Sequence, residues 1–219
     1  MDARRLPAAV RAAAADRRGG AMEVAATALG GLLEVAADPP LLEEAVAALL
    51  AGQPAMAPIW HLARAARGPD PPSALAALRR RLGADADAAV AAATAWLRRH
   101  LTAHRGTVAT VSHSSLVARV LAEVGGAPSS SAPSVAVVGA DGIGPGAFLN
   151  AAGTGELAAR LPTLVVATAV KLVPGEVFGR LSGPGFEVVP LAAVAAVVVG
   201  GEVLSPAEAG RRAAGLAPG

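Results

Sequence analysis

Two ionisable side chains of opposite charge follow two apolar runs in the middle of the chain. Asp141 lies just past the run Val135 to Val138, and Lys171 lies just past the run Thr163 to Thr168. Both runs predict buried strands, and open parallel sheets bind ligands outside the carboxyl ends of their strands. Asp141 offers a carboxylate, or else a turn cap. Lys171 offers a compact positive charge for a phosphate, or else a partner for a nearby carboxylate.

Glycine-rich segments near these residues offer backbone N–H groups to an anion. They are Gly142 to Gly146 and Gly153-Thr154, although a tight turn alone also requires glycine. Earlier in the chain, Arg17 and Arg18 precede two glycines, which places them either near a phosphate or in solvent at a helix end. Asn150 belongs to the same group of candidates, because it is the single asparagine of the sequence and lies between the two apolar runs.

The elements around these candidates form a crossover unit. A strand, a polar loop, a short helix over Glu156 to Arg160 and a second strand follow one another, and such units build parallel sheets. Further strands are predicted at Thr107 to Ser112, Glu187 to Val189 and Ala192 to Val199. The sequence therefore predicts about four parallel strands after residue 106.

The first ~105 residues predict helices only, since apolar residues recur at helical spacing and proline and glycine mark the breaks between helices. The predicted helices are residues 6–15, 22–36, 41–50, 55–67, 73–82 and 87–104, with Ser73 as a cap. In the second half, helices are predicted at Leu116 to Val124 and after the cap Ser205, with Pro206 in its first position. The predicted fold class is α/β: an N-terminal helical domain, residues 1–105, followed by a small Rossmann-like parallel sheet with flanking helices, residues 106–219.

Composition narrows the possible functions. The 219 residues include no cysteine, so a disulfide, a thiolate nucleophile or a thiolate-bound metal is excluded, and we expect neither a metal nor a cofactor. The formal net charge is +2 and the arginines are scattered, so we expect no direct nucleic-acid binding. The longest apolar run is too short to cross a bilayer and no signal-peptide layout is visible, so we expect a soluble, cytoplasmic protein without membrane contact.

At these residues the chain resembles a known superfamily: the alpha, beta and delta subunits of translation initiation factor 2B, methylthioribose-1-phosphate isomerase and ribose-1,5-bisphosphate isomerase. Val137 to Ile143 is similar to the family's strand and Gly-Ala-Asp segment, and Asn150 to Ala158 is similar to its Asn-Lys-Ile-Gly-Thr loop and helix. Lys171 matches the lysine after the next strand, and Thr110 to Ser115 resembles the threonine–histidine segment. Weaker matches are Asp16 to Ala21 with Glu23, Gln53 to Pro58, Phe186 to Pro190 and Gly201 to Pro206.

The resemblance implies proton transfer between C1 and C2 of a phosphorylated sugar, which needs a general acid and base. Asp141 then corresponds to the family's aspartate. The isomerases carry a cysteine directly after the histidine, whereas here Ser114 follows His113, and a hydroxyl is far less acidic than a thiol. Candidate catalytic residues are therefore Asp141, His113 as a substitute base and Ser114, which is otherwise a loop cap. The family's loop lysine is Ala152 here, and the stretch Leu116 to Pro133 is shorter than its counterpart.

Three functions follow from the resemblance. The first is an atypical, non-catalytic homodimer that binds a phosphorylated sugar or nucleotide at the strand ends. The second is an aldose–ketose isomerase acting on a ribose phosphate, and the third is a regulatory subunit that acts through protein interaction alone. The missing cysteine and loop lysine favour the first or third, and the retained polar residues favour the first. The expected ligand-binding residues are Arg18, Gly20, Ser115, Gly142, Asn150, Gly153, Thr154 and Lys171.

Overall fold

The computed structural model describes residues 6–104, 107–111, 114–125 and 132–217. The helices are α1 (Ala8–Ala15), α2 (Ala21–Glu34), α3 (Pro39–Gly52), α4 (Ala57–Ala66), α5 (Pro71–His104), α6 (Ser115–Val124), α7 (Thr154–Arg160), α8 (Gly175–Phe178) and α9 (Pro206–Ala214). The strands are β1 (Thr107–Ala109), β2 (Pro133–Val138), β3 (Gly142–Ile143), β4 (Ala147–Ala151), β5 (Thr163–Ala167), β6 (Phe186–Pro190), β7 (Ala196–Val199) and β8 (Glu202–Leu204).

Helices α1 to α4 and the start of α5 enclose the first hydrophobic core. Apolar residues recur at helical spacing, so each helix turns one face inward. The largest fully buried side chains of this core include Leu29, Leu32 and Leu49. Asp38 caps α3 by accepting a hydrogen bond from the Leu41 N–H at 3.4 Å. The all-helical first half is therefore as predicted.

A single helix, α5, replaces the two helices that the sequence predicts for residues 73–104. The predicted break at Gly83 to Ala86 contains no proline, and one glycine costs a helix only about 1 kcal/mol. Packing of the segments on both sides outweighs that cost. The prediction of Ser73 as the cap is also wrong: the helix begins at Pro71, and the Asp70 carboxylate accepts the Ser73 N–H at 3.2 Å.

The main sheet contains five strands in the order β1-β2-β5-β7-β8. The first four are parallel, as predicted, and β8 is antiparallel to β7. Val137 and Leu164 face α5 and α6 on one side, whereas Val138 and Val165 face α7 and α9 on the other. Burial of both faces explains why these strands are continuous apolar runs. The predicted fold class is confirmed.

A second sheet, which the sequence did not predict, contains antiparallel strands in the order β3-β4-β6. Gly142 pairs with Leu149, and Asn150 pairs with Glu187. The prediction of a loop at Asn150 is therefore wrong, and the predicted strand Glu187 to Val189 belongs to this sheet instead of the parallel one. Strand β3 has two residues and β4 contains alanine and asparagine, which favour strands weakly, so no local pattern marks them.

The last predicted strand is shorter than expected, and the last helix begins as expected. A 3₁₀ turn at Leu191–Ala193 occupies the start of the predicted strand Ala192 to Val199, and β7 begins after it. The Ser205 hydroxyl accepts the Glu208 N–H at 3.2 Å, and Pro206 is the first residue of α9. The predicted cap is therefore confirmed.

Candidate functional site

A cavity of about 240 Å³ lies at the carboxyl ends of the parallel strands β2 and β5. Its walls come from the loop before α2, the start of α6, the segments after β2 and β5, strand β4 and the segment before β6. The lining residues are Arg17, Arg18, Gly19, Gly20, Ala21, Met22, Met56, Ser114, Ser115, Ala140, Asp141, Asn150, Ala151, Lys171, Pro184, Gly185 and Phe186. This edge of a parallel sheet is the place where such folds bind ligands.

Asp141 and Lys171 form a buried ion pair in the cavity. The Lys171 Nζ lies 4.0 Å from the Asp141 Oδ1, and the two side chains are 4% and 14% exposed. Burial lowers the pKa of Lys171 to about 8 and raises the pKa of Asp141 above its usual range, while the charge of each partner opposes the other's shift. Both groups therefore titrate closer to neutral pH than they do in water.

The position of Lys171 is set by a 3₁₀ turn, Ala169–Lys171, that follows β5. The Lys171 N–H donates to the Thr168 carbonyl at 3.0 Å. Two contacts with the helical half hold the turn: the Ala169 N–H donates to the Asp85 carboxylate at 2.5 Å, and the His61 Nε2 donates to the Leu172 carbonyl at 2.8 Å. The main chain is thus held both before and after Lys171.

Asn150 is oriented by a short chain of hydrogen bonds. Its Nδ2 donates to the Thr154 hydroxyl at 2.9 Å, and that hydroxyl donates to the Ala151 carbonyl at 2.7 Å. Because the hydroxyl proton is used by the carbonyl, the hydroxyl must accept from the amide, which fixes the orientation of the amide. The Asn150 Oδ1 accepts no hydrogen bond from the described residues. Because Asn150 lines the cavity, this oxygen can accept a hydrogen bond from a ligand.

The loop before α2 is folded around the carboxylate of Asp16. The Asp16 Oδ1 accepts the N–H groups of Arg18 and Gly19, each at 2.8 Å, and these bonds lower the pKa of Asp16. Glu23 supplies one half of a capping box, since its carboxylate accepts the Gly20 N–H at 3.3 Å. The start of α2 therefore reaches the cavity in a defined conformation.

Gln53 holds this loop through hydrogen bonds to main-chain carbonyls, a role that was not predicted from the sequence. Its Nε2 donates to the carbonyls of Ala13 and Asp16, each at 2.7 Å, and the side chain is buried. These bonds connect the end of α3 with the end of α1, nearly forty residues apart in the chain. Two weak signals were available: Gln53 is the single glutamine of the sequence, and it begins the segment Gln53 to Pro58 that resembles the family.

The start of α6 forms the opposite wall of the cavity. Ser114 occupies the capping position, with no hydrogen bond from its side chain to the helix, and Ser115 is the first helical residue. The cavity therefore meets the amino ends of two helices, α2 and α6, whose N–H groups and dipoles favour an anion.

Seven of the predicted site residues line this one cavity: Arg18, Gly20, Ser114, Ser115, Asp141, Asn150 and Lys171. Three others do not line it. Gly142 is paired in β3 and packs against Leu181, Gly153 precedes α7, and the fully buried Thr154 acts on Asn150 instead. His113 lies outside the described residues.

Several lining residues were missed by sequence reasoning. Met22 and Met56 are among them, and so are Pro184 to Phe186, whose segment enters the site only through the unpredicted second sheet. No local pattern distinguishes these apolar residues from core residues. They give the cavity an apolar wall beside its polar one.

The charges around the cavity favour an anion. Among the described residues, Arg17, Arg18 and Lys171 line it together with one carboxylate, that of Asp141. Arg17 Nη1 is occupied by the carbonyls of Ala14 and Asp16, each at 2.9 Å. The positive excess and the two helix ends act in the same direction.

Two features are absent from the parts of the chain that the structure describes. No group of three or more histidine, aspartate or glutamate side chains there is placed to hold a metal ion. No helix there is long and apolar enough to cross a membrane.

Solved structures share this arrangement of elements. A chain of Pyrococcus horikoshii OT3 translation initiation factor 2B superposes with a TM-score of 0.68 at 19% sequence identity, over 94% of this chain and 98% of that one. The protein has the initiation factor 2B fold. The resemblance read from the sequence is thereby confirmed at the level of the fold.

Two further solved structures have a similar arrangement of elements. A chain of the tetrameric beta2-delta2 complex of this factor from C. thermophilum superposes with a TM-score of 0.65 at 13% identity, over 93% of this chain and 91% of that one. The 5-methylthioribose 1-phosphate isomerase of Pyrococcus horikoshii OT3 superposes with a TM-score of 0.56 at 14% identity, over 94% and 86%. No protein-family model and no curated protein matches the sequence.

Proposed function

We propose that the protein binds a phosphorylated sugar or nucleotide in this cavity without converting it. The observation that carries the proposal is the environment of Lys171. Its ammonium is almost fully buried, its one charged partner lies 4.0 Å away, and the described residues give it no hydrogen bond. An ammonium has three donors, and a buried one is stable only when acceptors surround it. Phosphate oxygens are suitable acceptors.

The start of α2 supports a phosphate subsite. The first N–H groups of a helix have no partner within the helix. Within the described residues Ala21 and Met22 N–H make no hydrogen bond, and both residues line the cavity. Arg18 lies beside them. A phosphate held there accepts main-chain hydrogen bonds and is attracted by the guanidinium.

The size of the cavity favours a small ligand. Its volume of about 240 Å³ is below the range of about 300 to 1,000 Å³ that is usual for drug-sized ligands. A single phosphorylated sugar agrees better with this volume than a nucleotide does. Met22, Met56 and Phe186 supply the apolar wall against which a sugar ring can pack.

Binding without conversion is supported by Ser114. The resemblance places a catalytic cysteine of the isomerases at this position, and a serine hydroxyl is far less acidic than a thiol. Ser114 is the capping residue of α6 and lines the cavity, so a hydroxyl stands where the isomerases carry a thiol.

An isomerase acting on a ribose phosphate is the second candidate. It is favoured by the Asp141–Lys171 pair, because a raised carboxyl pKa and a lowered amine pKa suit proton transfer near neutral pH. Incubation with ribose phosphates, followed by nuclear magnetic resonance of the sugar, tests this candidate. Turnover that disappears in Asp141→Asn would establish it over simple binding.

The third candidate is a regulatory subunit that acts only through protein contacts. One neighbour of the same fold belongs to a tetrameric complex, which favours an assembly for this chain as well. We propose a homodimer located in the cytoplasm. Light scattering of the purified protein gives its mass in solution, with and without ligand.

Thermal unfolding with a panel of compounds tests the proposed binding. The panel contains ribose phosphates, nucleoside monophosphates, inorganic phosphate and unphosphorylated ribose. A compound at 100 times its Kd stabilises the fold by about 2.7 kcal/mol, which is readily visible as a rise in Tm. We expect a rise in Tm with a sugar phosphate and none with ribose. In Lys171→Met, the same rise should need at least a tenfold higher concentration of the sugar phosphate.

A surface variant provides the control for the loss of charge. Glu176→Gln removes an exposed carboxylate that pairs with Arg180, and it should respond to the ligand as the wild type does. If no phosphorylated compound raises the Tm of the wild type, the binding proposal is wrong and the protein-interaction candidate takes its place.

A further inference from the structure

Lys171 is the only lysine of the sequence, and its amine faces a cavity instead of solvent. Its Nζ makes no hydrogen bond to the described residues, and the nearest carboxylate, that of Asp141, lies 4.0 Å away. The ion pair explains why this residue can be buried. It does not explain why an amine and a carboxyl group stand in a cavity that the amino ends of two helices also line.

We propose that Lys171 is a nucleophile that forms an imine with the aldehyde group of a phosphorylated aldehyde bound in this cavity. The inference rests on the proposed phosphate binding and specifies its ligand class: small open-chain aldehydes that carry a phosphate. Buried lysines in apolar surroundings are the residues that form such imines in proteins.

The reaction balances with the groups that are present. The Lys171 nitrogen attacks the aldehyde carbon, an N–C bond forms, the carbonyl π bond breaks, and a proton passes from nitrogen to oxygen to give a carbinolamine. The C–O bond then breaks as the nitrogen lone pair forms the C=N bond, and the oxygen leaves as water. Asp141 relays both protons: it passes the first from nitrogen to the carbonyl oxygen, and it then passes the second from the same nitrogen to the hydroxyl group that leaves as water. No oxidant or reductant is needed.

The amine is neutral often enough to react. Burial lowers the pKa of Lys171 to about 8, so about half of the molecules carry a free amine at pH 8. An ordinary lysine, with a pKa near 10.4, is neutral in less than about 1% of molecules at that pH.

The phosphate provides selectivity for the aldehyde. Ala21 and Met22 N–H, Arg18 and the start of α6 surround the same cavity as Lys171. A phosphate held by these groups keeps the aldehyde close to the amine and raises its effective concentration. An aldehyde without phosphate lacks this advantage.

Reductive trapping of the whole chain tests the inference. The protein is incubated with glyceraldehyde 3-phosphate or ribose 5-phosphate and cyanoborohydride, and the adducts are located by peptide mass spectrometry. The chain has two kinds of amine, that of Lys171 and the α-amino group, so the assignment is unambiguous. We expect Lys171 to be modified at least about tenfold faster by glyceraldehyde 3-phosphate than by glyceraldehyde.

Two variants and one competitor complete the experiment. Lys171→Arg keeps the charge and forms no imine, so its adducts should be confined to the α-amino group. Asp141→Asn should slow the trapping several-fold, because the proton relay is lost. Glycerol 3-phosphate, which has the phosphate but no aldehyde, should compete with the trapping and raise the Tm.

The outcomes separate this inference from the proposed function. Equal rates with and without the phosphate overturn the inference, as does modification of the α-amino group alone. If glycerol 3-phosphate raises the Tm but no aldehyde modifies Lys171, the binding proposal stands and the nucleophile does not. If neither phosphate compound raises the Tm or reacts selectively, both are wrong.

Discussion

At the scale of single residues, the titration of Lys171 can be measured without interference from other side chains. The sequence has no tyrosine, no cysteine and no second lysine, so no other side chain has an ordinary pKa between about 8.5 and 12. The folded protein holds the Lys171 pKa at about 8, against 10.5 as the ordinary value. Between these values the unfolded chain binds more protons than the folded one, so the free energy of unfolding rises with pH.

We expect the free energy of unfolding to rise by on the order of 3 kcal/mol from pH 8 to pH 10.5 in the wild type. The Lys171→Met variant should show almost no rise over the same interval. In Asp141→Asn the rise should begin at lower pH, because the Asp141 charge is what raises the Lys171 pKa. Urea unfolding at four or five pH values measures all three. A wild-type profile as flat as that of Lys171→Met would show that the amine is solvated.

The residues at the strand ends were the predictable part of the site. Asp141 and Lys171 follow buried strands, and a parallel sheet brings such positions together whatever the rest of the chain does. Thr154 was predicted to bind ligand, but its hydroxyl holds Asn150 instead. Gln53 was not predicted as part of the site, because its contacts depend on how α1 meets α3, which no local pattern reveals.

At the scale of elements, the loop of residues 16–20 forms one wall of the cavity, and the side chains that hold it, those of Asp16 and Gln53, do not line the cavity. The Asp16 carboxylate accepts two N–H groups of the loop, and the Gln53 amide donates to the Asp16 carbonyl. Removing the Gln53 side chain takes one donor from the Ala13 carbonyl and one from the Asp16 carbonyl, which costs about 0.5 to 1.5 kcal/mol for each hydrogen bond lost. The loop then loses the conformation that brings Arg18 to the cavity.

We expect Gln53→Ala to weaken the binding of a phosphorylated ligand by about tenfold, although Gln53 does not line the cavity. Titration calorimetry measures the Kd, and hydrogen exchange of the Arg18 and Gly19 amides reports on the loop directly. Val46→Ala, a buried position in α3, the helix that Gln53 directly follows, is the control for general loss of stability. If both variants bind alike at equal Tm, Gln53 has no specific part in the site.

At the scale of the whole molecule, α5 belongs to two hydrophobic cores. Leu75 packs with α1 to α4, whereas Val90, Trp96 and Leu97 pack with α6 and the strands of the main sheet. A division into residues 1–105 and 106–219 remains our proposal for the domains. The packing indicates that the second half of α5 depends on the sheet for its stability.

We expect Trp96→Ala to destabilise the full chain by about 3 to 5 kcal/mol, because a buried aromatic side chain is lost. In a fragment of residues 1–105 the same substitution should cost less than about 1 kcal/mol, since the sheet that covers Trp96 is missing. Thermal unfolding of the four proteins gives the comparison. A large effect in the fragment would show that residues 1–105 bury Trp96 on their own.

The overall fold was largely predictable, and the exceptions have a common cause. Continuous apolar runs identified the parallel strands, and helical spacing identified the first half. The second sheet and the unbroken α5 were missed because tertiary packing decides them: β3 is too short to show a pattern, and Gly83 lies in a helix that packing maintains on both sides.

The length of α5 has a consequence for how a ligand reaches the cavity. Its 34 residues span about 51 Å at 1.5 Å per residue. One end of this helix packs among the other helices and the other end packs against the sheet. A continuous helix that belongs to both cores resists a hinge motion of one half of the chain away from the other. A ligand then enters a cavity whose two halves already stand at their final separation, and the loop of residues 16–20, held by Asp16 and Gln53, keeps its place as the ligand binds.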